Sequence, residues 1–255
     1  MKIDVDEERL VVISDLHLGN PYSLASGKLS SFIDYVIENG FSLCVNGDGL
    51  DILQSRFRAL ASQTIDVLAM IRRLAEHGSR VYYVVGNHDV ALEQVLTTWL
   101  GDHLSPFLNV RCGDHRIRVE HGHVYDPFYA ASPRLYELAG TVAAPLLLGY
   151  PDVYKLWTAT TWARRRAQKV ARHLDEGETP ERTAAQMLVD RGFDIVVFGH
   201  THQPERVDLV GGSYLNSGNW LRDSTFVEIT HGGAVLRDWD AASATATAWT
   251  GHGHR

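Results

Sequence analysis

Short apolar, β-rich runs recur along this chain, and each one stops at a glycine or a polar pair that carries Asp, Asn or His. Residues 10–14, 41–46, 80–85 and 194–198 are such runs. Between the first three lie two segments with helical spacing. Residues 25–39 place Leu29, Phe32, Ile33, Val36 and Ile37 on one face and are closed by Gly40. Residues 59–77 do the same with Ile65, Leu68, Ala69, Ile71 and Leu74, followed by Gly78. Strand and helix alternating in this way predict parallel strand pairing through crossover helices. In open α/β sheets, ligands bind outside the carboxyl ends of the strands. Polar motifs at several strand ends can therefore meet in one crevice although they are far apart in sequence.

Further strands are predicted over residues 206–210, 213–215, 225–230 and 234–237, split by glycine-containing turns. Between residues 125 and 191 the strand signal stops and Ala, Leu and Arg dominate. The organisation expected is a layered α/β core over residues 1–124 and 192–240. A helical insertion or cap would cover 125–191, and a loosely held tail 241–255. The 255 residues suffice for a substantial core. The net charge of −7 offers nothing global to a polyanion, so no nucleic-acid partner is expected. Two cysteines, Cys44 and Cys112, fit a reducing compartment better than a disulfide framework. The N-terminal residues are charged, and the longest apolar stretch, 142–148, is short and contains Pro145. The expected location is the cytoplasm.

Thirteen histidines stand out, because imidazole is the commonest metal ligand and proton carrier near neutral pH. Many fall in five motifs. These are Asp15-Leu16-His17, Gly47-Asp48, Gly86-Asn87-His88-Asp89, His121-Gly122-His123 and Gly199-His200-Thr201-His202. Each alone is weak evidence; the ordered set at strand ends carries the argument. Imidazole and carboxylate donors without a thiolate suit a pair of divalent ions such as Mn, Fe or Zn. A carboxylate can bridge two cations. Ions roughly 3.5–4 Å apart can clamp both the attacking and leaving oxygens of a phosphoryl transfer.

On these motifs the sequence resembles the calcineurin-like metallophosphoesterase family. The matching residues are Ser14-Asp15-Leu16-His17, Gly47-Asp48-Gly49-Leu50-Asp51, Gly86-Asn87-His88-Asp89, His121-Gly122 and Gly199-His200-Thr201-His202. The resemblance implies an αββα sandwich with a helical cap insertion. It implies that Asp15, His17 and His202 hold one metal and that Asn87, His121 and His200 hold the other, with Asp48 bridging. His88 would stand beside the scissile phosphate as a catalytic group, oriented by Asp89, with Asp51 behind them. The implied activity is hydrolysis of a phosphoester or pyrophosphate bond by a metal-bridging hydroxide.

The substrate is less constrained. His123 reads either as a substrate contact or as a polar loop residue. In the insertion, an apolar run over residues 145–150 precedes Tyr154, Trp157 and Trp162, then Arg164, Arg165, Arg166, Lys169 and Arg172. Three readings stay open: a cap whose arginines grip a second phosphate, a hairpin packed on the core, or a peripheral membrane contact. UDP-2,3-diacylglucosamine hydrolases are similar in layout and carry a comparable insertion. They typically have Arg where this chain has His88 and Asp where it has His123. A phosphorylated small-molecule or lipid-linked substrate is therefore expected. A non-catalytic scaffold on the same fold, as in a retromer subunit, is the competing reading; it would be expected to lack some of these ligands. His77, His103, His115, His173 and His231 match no motif, and His252 and His254 lie in the tail.

Overall fold

The structure is a computed structural model, and it describes residues 4–20, 23–50, 69–89, 104–132, 179–221 and 223–251. Its strands are β1 (Asp4–Asp6), β2 (Arg9–Ile13), β3 (Ser42–Asn46), β4 (Val81–Val84), β5 (Leu104–Ser105), β6 (Phe107–Cys112) and β7 (His115–Glu120), followed by β8 (Ile195–Phe198), β9 (Glu205–Leu209), β10 (Gly212–Asn216), β11 (Thr225–Thr230), β12 (Gly233–Asp240) and β13 (Thr245–Ala248). The helices used below are α1 (Ala25–Glu38), α2 (Pro127–Ala131) and α3 (Pro180–Asp190). One sheet has the order β1-β6-β7-β8-β10-β9 and the other β13-β12-β11-β2-β3-β4-β5. Within them β2, β3 and β4 run parallel, as do β7, β8 and β10.

Both sheets are buried on two faces, and the sequence shows why. Strand side chains alternate, so an unbroken apolar run feeds two cores at once. In β2, Leu10 and Val12 enter the core between the sheets, where they meet Val110, Ile117, Val119, Ile195, Val197 and Leu215. Val11 and Ile13 point the other way, into a core shared with Leu29, Phe32, Ile33 and Val36 of α1. Phe32 is fully buried, with ring centroids 4.9 Å from Trp220 and 5.0 Å from Phe226. Burial of one such ring contributes about 2–3 kcal/mol. In β8, Val196 and Phe198 face outward onto Ala184, Ala185, Leu188 and Val189 of α3. The result is a mixed α/β fold of two stacked sheets flanked by helices, which agrees with the expected layering.

Two elements lie within the expected insertion and tail. Helix α3 falls inside the predicted insertion, yet it packs on the core sheet. Thr179 caps it by accepting from Arg182 N at 3.2 Å, and Pro180 opens the first turn. In the expected tail, residues 245–248 are paired. They form β13 against β12, and Trp249 N donates to Leu236 O. Residues 133–178, with the aromatic and arginine-rich run, lie outside the described residues, as do Asp51 and most of the predicted helix 59–77. Among the described residues, no helix is long and apolar enough to cross a membrane.

Candidate metal centre

The loops that follow β2, β3, β4, β7 and β8 carry the five motifs, and hydrogen bonds tie them into one rim. Asp15 N donates to Gly47 O, His17 N to Asp48 O, and Gly199 N to His121 O. Asn46 Nδ2 donates to Glu120 O at 2.8 Å, joining the end of β3 to the end of β7. The two sheets therefore present their strand ends to the same edge.

The backbone there is bent where side chains seldom permit it. Asp15, His17, Asp48, His200 and His202 have φ of 54°, 45°, 53°, 64° and 56°. Ala244 is the only other non-glycine residue with positive φ among the described residues. Left-handed backbone costs a non-glycine residue roughly 1–2 kcal/mol, so the surroundings must hold each turn. Neighbouring groups do so: Asp15 Oδ2 accepts from His200 N at 3.2 Å, and Asn219 Nδ2 donates to His202 O at 3.0 Å. Close approach also needs glycine. A Cβ on Gly86 would lie 2.3 Å from Asp48 Oδ1, and one on Gly47 would lie 2.3 Å from His121 Nδ1.

These turns gather the predicted side chains. Asp15, His17 and His202 form one group whose ligand atoms lie within 4.8 Å of one another; Asp48, His121 and His200 form a second. Asp48 also groups with His17 and His88, so it stands between the two sets. Within them His202 Nε2 is 3.0 Å from Asp15 Oδ1, His17 Nε2 is 3.4 Å from His202 Nε2, and His121 Nε2 is 3.3 Å from Asp48 Oδ2. Asn87 is buried in the same loop, between Gly86 and a His88 whose backbone N donates to Asp48 Oδ1 at 2.9 Å.

The residues present fit the binding of divalent metal. Asp15 Oδ1, Asn87 Oδ1 and His121 Nε2 are buried without a hydrogen-bond partner, a costly state for polar atoms that a cation relieves. The electrostatics point the same way. Burial alone would raise the pKa of Asp15, but the adjacent His202 outweighs it and holds the carboxyl down at about 2. Burial likewise opposes ionisation of Asp48, and His121 and His88 override it and depress its pKa well below the ordinary range. Burial disfavours charge on His121, yet Asp48 pulls its pKa up to about 9. The buried Asp48 carboxylate thus favours positive charge on His121, and a divalent ion would supply the same positive charge. The donors are nitrogen and oxygen, which suits Mn, Fe or Zn.

Three further residues, Asp89, His123 and Asp126, border these groups. Asp89, for which the resemblance implies a role in orienting His88, accepts with Oδ2 from Asp48 N at 2.7 Å and Gly86 N at 2.9 Å, and with Oδ1 from Tyr83 OH at 2.8 Å. These two backbone donors make it a brace for the Asp48 turn. Burial and the nearby Asp48 raise its pKa to about 6. His123 sits on a 3-10 turn with its ring centroid 5.5 Å from His121 and edge-on to Tyr129. Burial and then His121 push its pKa down to about 3, so it is neutral. Asp126 was not singled out at all, yet its Oδ2 lies 3.0 Å from His200 Nε2. Tyr-Asp-Pro reads locally as a helix start, and nothing in the sequence distinguishes it from a plain cap.

A calcineurin-like phosphoesterase profile matches residues 8–204. The UDP-2,3-diacylglucosamine hydrolase of Pseudomonas aeruginosa is 24% identical over 243 residues, covering 88% of this chain and 96% of that one. The protein of the same name from Pseudomonas paraeruginosa is 25% identical over 244 residues, with the same coverage. Among solved structures, Yfce, a phosphoesterase from E. coli, covers 94% of this chain and 97% of its own at 16% identity, with a TM-score of 0.50; that likeness is one of fold alone. With the profile spanning most of the sequence and its motifs gathered at one rim, the chain belongs to the calcineurin-like phosphoesterase family.

Proposed function

We propose that this protein hydrolyses a phosphoester or pyrophosphate bond with the aid of two divalent cations. The observation that carries the reading is the position of Asp48, which groups with His17 on one side and with His121 and His200 on the other. A carboxylate placed so can serve two cations at once. Asp15, His17 and His202 would hold one ion, and Asn87, His121 and His200 the other. Bound ions of this kind acidify water and neutralise charge on phosphoryl oxygens.

The chain's own groups supply the rest. His88 keeps its ring partly exposed, with Nε2 3.9 Å from Asp48 Oδ2, so it can reach a substrate oxygen while its backbone stays pinned. There it would stabilise phosphoryl charge or donate a proton to the leaving oxygen. Asp89 and Tyr83 fix the turn that aims Asp48. The buried, free Cys44 and Cys112 support a reducing, cytoplasmic setting. The test is a manganese-supplemented screen against aryl phosphate mono- and diesters and nucleotide pyrophosphates. Turnover that requires manganese and is mostly lost in Asp48→Asn is the expected result. No metal-dependent turnover on any of them would favour a binding scaffold instead.

A narrower reading takes the substrate as a lipid-linked nucleotide cleaved at its pyrophosphate. Similarity to UDP-2,3-diacylglucosamine hydrolases along 88% of the chain favours it. The His88 and His123 positions weigh against it, since imidazole cannot replace a fixed guanidinium cation. Turnover of UDP-2,3-diacylglucosamine well above that of a generic diester would support it; turnover at or below the diester rate would remove it.

A further inference from the structure

Asp126 touches the metal centre yet belongs to none of the five motifs. Its Oδ2 lies 3.0 Å from His200 Nε2. A carboxylate in its ionised form only accepts, so in this contact the imidazole would donate from Nε2. The lone pair then sits on Nδ1, while His200 also offers a ligand atom to the Asp48 and His121 group. The contact is sheltered: the side chains retain 9% and 22% of their exposure.

The turn that presents Asp126 is braced from both flanking strands. Tyr125 stacks on Phe198 of β8, centroids 5.4 Å apart, and its hydroxyl donates to Glu120 Oε2 of β7 at 2.9 Å. Arg118 pairs with the other oxygen of Glu120. Asp126 N donates to His123 O, and Asp126 O accepts from Ala130 N, the first helical bond of α2. Its backbone thus fills the capping position of a helix while one carboxylate oxygen reaches across to His200.

We propose that Asp126 is a positioning residue that fixes His200 as the Nε2-protonated tautomer and hands Nδ1 to the Asp48 and His121 donors. A carboxylate behind a ligating imidazole also raises its basicity, and losing such a partner typically weakens metal binding about 10–100-fold. The inference rests on the two-cation reading above. Because Asp126 opens α2, on the path from β7 toward α3, the root of the connecting segment and the second cation site share one hydrogen bond.

The test compares wild type with Asp126→Asn and Asp126→Ala. Nitrogen-15 correlation spectra of the histidine rings in metal-free protein read the tautomer, and equilibrium dialysis with manganese reads each site's affinity. Wild type is expected to show His200 protonated at Nε2 and to bind two manganese ions. Asp126→Ala is expected to lose the single tautomer and to weaken one site by about 10–100-fold. Asp126→Asn keeps an acceptor but not the charge, so it should keep the tautomer and weaken that site by less; it also carries the test if the alanine variant does not fold. Protonation of His200 at Nδ1 in wild type, or wild-type manganese affinity in both variants, overturns the inference. Wild-type protein that binds no manganese overturns the two-cation reading and this inference with it.

Discussion

His121 Nδ1 lies 2.7 Å from the carbonyl oxygen of Asn46, and this contact turns the opposite nitrogen toward Asp48. A backbone acceptor cannot be removed by substitution, so the ring's orientation is built into the end of β3. His121→Ala should therefore lose one cation rather than loosen both. Manganese dialysis is expected to find one ion retained and the other weakened more than about tenfold. Two ions at wild-type affinity would contradict this placement of His121.

Asp48→Asn keeps the shape of the site and removes its central negative charge. Metal-dependent turnover should fall by about 10²–10³-fold, the size of effect seen when one preorganised electrostatic group is removed. Steady-state rates with excess manganese measure it, and turnover close to wild type would rule out a bridging role.

His88→Ala separates a catalytic group from a ligand. The bond to Asp48 Oδ1 comes from the His88 backbone and survives the substitution. Manganese stoichiometry should stay at the wild-type value while kcat falls by about 10²–10⁴-fold, the range for a lost acid–base group. Loss of an ion together with the activity would instead make His88 a ligand, as its grouping with His17 and Asp48 permits.

Gly86→Ala and Gly40→Ala probe two different needs for glycine. At Gly86 a Cβ would press on Asp48 N at 2.5 Å as well as on its carboxylate. Overpacking of this kind costs about 1–3 kcal/mol and should also disturb manganese binding. Gly40 has φ of +64° and open space where a Cβ would go, so it should cost only about 1–2 kcal/mol and spare the metals. Urea unfolding with parallel dialysis distinguishes them; equal metal loss in both would show that steric crowding at Asp48 is not the cause.

At high pH the tyrosines should set the limit of stability. Burial, aided by Glu228, raises the pKa of Tyr35 to about 12; burial, aided by Glu120, does the same for Tyr125. The folded state then holds these protons more tightly than the unfolded chain, whose tyrosines ionise near pH 10. Stability is present in full below about 10 and falls as pH rises toward 12. Urea midpoints at about pH 9 and about pH 11 should differ accordingly, more in wild type than in Tyr35→Phe. A midpoint that does not change across that interval would exclude this source of alkaline sensitivity.

What the sequence disclosed follows from where its chemistry is local. The apolar runs at β2, β3 and β8 and the motifs behind them were legible because alternating side chains feed two cores, and a glycine or acid must follow each tight exit. The sequence does not signal the hairpin of β6 and β7: in His115-Arg116-Ile117-Arg118-Val119-Glu120 the apolar residues are only Ile117 and Val119, and Arg118 pairs with the buried Glu120 and lies over the Phe107 ring. Helix α3 was assigned to the insertion because Ala and Arg composition does not reveal which surface a helix covers. The contacts of Asp126 with His200 and of Asp89 with Asp48 join strand ends far apart in the chain, which no local pattern encodes.

The left-handed turns at Asp15, His17, Asp48, His200 and His202 bear on how fast a cation can be captured. Their shape is held by hydrogen bonds within the protein itself, so the chelating groups stand ready and little chain motion remains to be frozen when an ion enters. Loading should then proceed as simple bimolecular capture limited by dehydration of the ion, with a small heat-capacity change and no slow rearrangement after encounter.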